Sequence, residues 1–144
     1  MHHAMRRSIA LLSLTTVAIL GACGSDSTAP NPNSSSVGGN WTLRTINSNP
    51  LPYLLQSGST KVNILSSTLT ISDGGTWSEN ANGSVSLDGG PFTNQVLAVS
   101  GGYVRAGQTL ALTESNGAAY LTCNFDGHNT LTCQGGILAY VYSR

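Results

Sequence analysis

From Trp41 onward, apolar and polar residues alternate in short runs: Trp41-Thr42-Leu43, Val62-Asn63-Ile64, Thr68 to Ile71, Val85-Ser86-Leu87, Thr109 to Leu112, Tyr120 to Phe125, Thr130 to Cys133 and Ile137 to Tyr142. A period of two puts successive side chains on opposite faces of a strand, and no stretch after Trp41 holds helical spacing over three turns. Turn formers separate most of the runs, at Asp73-Gly74-Gly75, Asn80 to Gly83, Asp88 to Pro91, Asn116-Gly117, Asp126 to Asn129 and Gly135-Gly136. The pattern predicts eight to ten short antiparallel strands. Tyr53-Leu54-Leu55-Gln56, following Pro50 and Pro52, reads as one helical turn or a loop crossing an end of the sheet.

Residues opposite each other in an antiparallel pair share a face, so parity tests the register. A two-residue Asn116-Gly117 turn sets Leu112 against Leu121 and Leu110 against Cys123, with Thr113 against Tyr120 on the outer face. A three-residue loop Gly127-His128-Asn129 sets Phe125 against Leu131 and Cys123 against Cys133. One apolar face then crosses three strands, and the turn at Asp73 to Gly75 places Ile71 against Trp77 by the same rule. The other face is Thr, Ser, Asn and Gln, so a sheet of this width must curl to hide its apolar side. Nearest-neighbour hairpins and about 13 residues per strand with its turn predict an all-β fold, an antiparallel up-and-down barrel of about eight strands. A two-layer β-sandwich is the alternative.

The parity that aligns Cys123 with Cys133 predicts a disulfide between them. His128, at the loop tip of this Cys-x4-His-x4-Cys hairpin, lies too far from the pair to share a metal ion, and no metal or cofactor is expected. The chain has 144 residues, of which 8% are charged and 40% apolar, enough for one domain. Six basic residues balance six acidic ones, which excludes the cationic field that nucleic-acid binding needs.

The first residues read as an address. Arg6 and Arg7 precede an apolar run from Ile9 to Leu20, too short to span a bilayer, and Gly21-Ala22-Cys23 follows. Leu20-Gly21-Ala22-Cys23 resembles the bacterial lipobox. That resemblance implies a signal peptide over 1–22, lipid attachment at Cys23, export by the general secretory route and a cell-envelope location. With Gly24 after the cysteine, it implies the outer membrane if the source has two. Exported proteins sit where a disulfide persists. Residues 23–38 are mostly Ser, Pro, Asn, Thr and Gly and read as a flexible tether of about 20 Å mean span. The folded domain is expected over 39–144.

Gly39-Asn40-Trp41 resembles the Gly-x-Trp signature that opens the first strand of lipocalins. The wider sequence, with Asn49-Pro50-Leu51-Pro52, Asp73-Gly74-Gly75-Thr76-Trp77 and a terminal Tyr140-Val141-Tyr142-Ser143-Arg144, is similar to small lipocalin-like domains of bacterial lipoproteins. The resemblance implies a non-catalytic barrel for a small apolar ligand or lipid. It also implies that Arg144 packs over Trp41 by cation–π contact, whereas the C-terminal position alone reads as a frayed, solvated end. The residues expected to line a cavity are Trp41, Leu43, Ile71, Trp77, Tyr103, Leu112 and Phe125. Read simply, Trp41, Trp77, Phe92, Tyr103 and Phe125 are core, and Tyr120 points outward.

Catalytic signatures are thin, and no enzyme is expected. Ala98-Val99-Ser100-Gly101-Gly102 resembles a nucleophile elbow without its first glycine or a following helix, and reads as a strand ending in a Gly-Gly turn. Glu79 and Glu114 are the only glutamates; Glu79 could face Arg105 inward but is expected at the surface near a strand end. Two rival functions stand beside the ligand carrier. One is a protein-binding module like the membrane-bound lysozyme inhibitors, whose Ser-Gly-x-x-Tyr loop Ser100 to Tyr103 only approaches. The other is a structural envelope component with a filled barrel.

Overall fold

A computed structural model describes residues 36–144; the expected signal peptide and Cys23 lie outside the described residues. Ten strands follow one another: β1 (Gly39–Ile46), β2 (Asn49–Pro50), β3 (Tyr53–Ser57), β4 (Thr60–Ile71), β5 (Thr76–Ser86), β6 (Thr93–Ala106), β7 (Thr109–Glu114), β8 (Ala119–Phe125), β9 (Thr130–Gly135) and β10 (Leu138–Ser143). They form one antiparallel sheet in the order β2-β1-β10-β9-β8-β7-β6-β5-β4-β3. Pairing of Gly39–Thr42 with Thr68–Ile71 joins β1 to β4 and closes eight of the strands into a barrel. The barrel form is thus the one realised, with β2 and β3 added outside the closed ring.

The three predicted registers all occur: Ile71 faces Trp77, Leu112 faces Leu121, and Cys123 faces Cys133. The second arises by another route than the sequence suggested. The β7–β8 connection is a three-residue loop, with Glu114 N–H donating to Ala118 O and Gly117 at φ 85°. A bulge then leaves Tyr120 without an opposite residue, Thr113 pairing with Ala119 instead. The extra loop residue and the extra strand residue cancel, so Leu112 still meets Leu121. The bulge also turns Tyr120 inward, where its ring stacks on Trp77 with centroids 4.6 Å apart.

Four other expectations are corrected. Tyr53–Gln56 is strand rather than helical turn or loop, because its backbone pairs with β4. Asn80 to Gly83 is no turn; it runs straight through β5, paired on both sides. Gly101-Gly102 does not end a strand but lies inside β6, where a Cβ on Gly101 would collide with Thr113 O. The folded part also starts before Gly39. Val37 is buried with the core, and its carbonyl accepts a hydrogen bond from Trp41 Nε1 at 2.9 Å.

Three strands are much longer than the barrel requires. β7 ends opposite Gly101, so Thr93–Ser100 of β6 passes beyond it, and β4 and β5 extend with β6. Together with β3 they form a four-stranded extension, its free loops tied where Gly89 N–H donates to Ser59 O.

Candidate functional site

At one end the barrel is plugged. Trp41, fully buried, meets Phe125 edge-on with centroids 5.7 Å apart. The Arg144 guanidinium lies 4.5 Å from the Trp41 ring centroid and 5.5 Å from that of Phe125. Its N–H groups donate to the carbonyls of Ser36, Gly38 and His128 at 3.0 Å each. The terminus is therefore fixed, not frayed, because the planar fork meets aromatic faces and three free carbonyls at once. Nearby, Asp126 Oδ1 accepts the backbone N–H groups of Thr130, His128 and Asn129. Those donors hold its carboxyl down at about 2.

The middle of the barrel is filled. Six of the seven residues expected to line a cavity, Trp41, Leu43, Ile71, Trp77, Leu112 and Phe125, are buried in the apolar core. Tyr103 is half-buried, its hydroxyl donating to Ser72 O at 2.8 Å. Around them pack Leu110, Leu121 and Leu131 and the Cys123–Cys133 disulfide. Trp77 Nε1 donates to both Gly102 O and Thr113 O, at 2.9 and 3.0 Å, which clamps β6 to β7. Phe92, read as core, is instead half exposed on the β5–β6 connection.

Above the core lies a buried carboxylate. Glu79 is 6% exposed, against the expectation of a surface position, and does not pair with Arg105, which is exposed over Phe125. Its Oε1 accepts from Ser67 Oγ and from the Tyr142 hydroxyl at 2.9 Å, and its Oε2 from the Tyr120 hydroxyl at 2.7 Å. Three hydroxyl donors thus compensate the loss of water around the charge. Burial first, and the Glu79 charge second, push the Tyr120 and Tyr142 phenols well above the ordinary tyrosine range. Tyr140 is raised for the same two reasons.

One same-face step beyond Glu79 on β5 comes Ala81, and there the interior face opens. Ala81, Gly83 and Val85 continue it along β5, Val62 and Ile64 on β4, Leu55 on β3, and Leu97 on β6. They line a trough of about 520 Å³, with Leu87 and Val96 also on its walls and Thr93 and Gln95 adding polar edges. None of the seven expected residues lines it. Sequence reading did register Val62-Asn63-Ile64 and Val85, but as parts of separate short strands. Length is the feature that alternation hides: Val96-Leu97-Ala98-Val99 does not alternate cleanly, so only Ala98 to Gly102 reads as strand, whereas β6 runs from Thr93 to Ala106.

The extension also concentrates exposed apolar surface. Leu54, Leu65, Leu87, Phe92, Val96 and Leu97 are between 46% and 71% exposed, and all lie on β3–β6 or their connections. Isolated exposed aliphatics are ordinary, but here six of the eight large apolar side chains that are exposed among the described residues share one part of the fold. No family model matches this sequence, and no curated protein matches it either.

Proposed function

We propose that this chain is an exported, lipid-anchored protein of a bacterial cell envelope whose barrel domain holds a small apolar molecule or a lipid chain, without catalysis. The observation that carries the reading is the trough. Its volume of about 520 Å³ falls in the range of small-molecule sites, and its lining is mostly aliphatic, with Asn82, Ser84, Thr93 and Gln95 as its polar members. An apolar ligand laid along Leu55, Val62, Ile64, Val85 and Leu97 would remove from water a surface that the free protein leaves wet. The ligand lies on the extension and not in the barrel centre, which its own side chains fill. The anchor rests on the Leu20-Gly21-Ala22-Cys23 pattern, which supports diacylglyceryl attachment at Cys23.

Two measurements on the full chain test this. Native mass spectrometry after extraction in mild detergent is expected to show a mature N-terminus at Cys23 carrying acyl mass, and a second, non-covalent apolar adduct. A fluorescent fatty-acyl probe is expected to bind the delipidated chain with Kd of about 10 µM or tighter. An unprocessed N-terminus removes the anchor; absence of both adduct and probe binding removes the ligand and leaves a structural component with a filled barrel.

A further inference from the structure

The extension has two outer edges, and they differ. β3 is five residues long and follows Pro50 and Pro52, so it is a short, proline-flanked edge of the kind that resists further pairing. β6 is not protected. From Thr93 to Val99 it pairs with β5 on one side and with no strand on the other among the described residues. Its sequence there, Thr-Asn-Gln-Val-Leu-Ala-Val, holds no charge and no proline.

The direction of its free main-chain groups can be read from the neighbouring bonds. Ser100 O accepts the Ser115 N–H, and Gly102 O accepts from Thr113 Oγ1, so the even-numbered residues face away from β5. Tyr103 N–H, donating to Gly75 O, faces toward it, as the alternation requires. The N–H and C=O groups of Asn94, Val96 and Ala98 therefore point off the open edge. Val96 and Leu97 beside them are 71% and 59% exposed.

We infer that this edge pairs with the same edge of a second copy of the chain, antiparallel, with Val96 on the two-fold axis. In that register Val96 meets Val96 of the other copy and Asn94 meets Ala98, giving about six main-chain hydrogen bonds. Leu97 of each copy then lies opposite Gln95 of the other on the trough face, so the two troughs become one continuous apolar surface. A second copy fits better than a foreign strand because the edge has no charge with which to select one, and self-pairing brings no like charges together. An edge this short buries less than a standard interface, so the dimer is reversible.

The test uses the full chain in non-ionic detergent. Sedimentation is expected to give a protein mass of two chains at about 100 µM, dissociating on dilution. Val96→Pro removes one outward N–H and leaves the bonds to β5 intact; it is expected to raise the dimer dissociation constant at least tenfold with unchanged far-ultraviolet circular dichroism. Val96→Cys is expected to form a disulfide-linked dimer under mild oxidation much faster than Val104→Cys, a comparably exposed site on the barrel. A wild-type chain that stays monomeric at that concentration overturns the inference and leaves the edge to a strand of another protein. Equal cross-linking at the two cysteines overturns it as well.

Discussion

A carboxylate in the interior is costly unless its oxygens are met by donors, and Glu79 is met by hydroxyls alone. Ser67, Tyr142 and Tyr120 lie 12, 63 and 41 residues from it in sequence, so the cluster exists only once the barrel has closed. This arrangement fixes the sign of an alkaline effect. Tyr120, Tyr140 and Tyr142 hold their protons more tightly folded than unfolded, because burial and the Glu79 charge oppose phenolate. The stability this provides is complete below the ordinary tyrosine value near 10 and is lost progressively above it, where the unfolded chain releases protons first. Urea midpoints measured from pH 8 to 11 are expected to fall above pH 10, and Tyr142→Phe is expected to flatten that fall. A wild-type midpoint unchanged to pH 11 would contradict the buried-phenol account. The same dispersion in sequence explains why Glu79 read as a surface residue: a lone glutamate on a strand shows no partner until distant strands supply one.

Strand β6 is the element on which barrel and extension depend together. Its first half belongs to the extension and its second half to the closed ring, and the change occurs at Gly101, against β7. Thr113 O and the Glu114 backbone occupy the space that a side chain at this position would need. Gly101→Ala is therefore expected to push β7 away from β6 and weaken the Trp77 clamp, costing about 2–4 kcal/mol in urea unfolding. Gly58→Ala, at a turn with nothing nearby, is the comparison and should cost about 1 kcal/mol through its φ of 60°. Equal losses would mean that close approach at Gly101 contributes nothing. The role of this glycine pair was illegible in the sequence, where Gly-Gly after a short apolar run has the signature of a turn. The β8–β9 hairpin was legible because parity needs only local spacing, which places Cys123 opposite Cys133, whereas Leu112 meets Leu121 only because a longer loop and a bulge offset each other. Tyr120 escaped the same rule because a bulge shifts side-chain direction without leaving a mark in composition.

At the scale of the molecule, the packed core and the open trough are different parts of one continuous face. Apolar side chains fill the ring from Trp41 to Trp77, and the trough begins only beyond Glu79, where the remaining strands have stopped. The division was illegible from alternation, which marks apolar residues as inward without saying whether another strand stands across from them. Leu112 and Val62 carry the same inward signal, yet one is 1% exposed in the ring and the other lines open space. If the proposed ligand lies in the trough, substitutions at these two positions have opposite signatures. Leu112→Ala deletes packed volume and is expected to cost about 2–5 kcal/mol of stability, while the protein that remains folded binds the fatty-acyl probe as before. Val62→Asp puts a charge between Leu55 and Val85 on the trough floor, where solvent keeps it hydrated in the free protein but an apolar ligand would bury it. It is expected to weaken probe binding at least tenfold and to shift the urea midpoint little. The reverse outcome, with binding lost in Leu112→Ala and kept in Val62→Asp, would move the ligand into the ring and require the core to open around it.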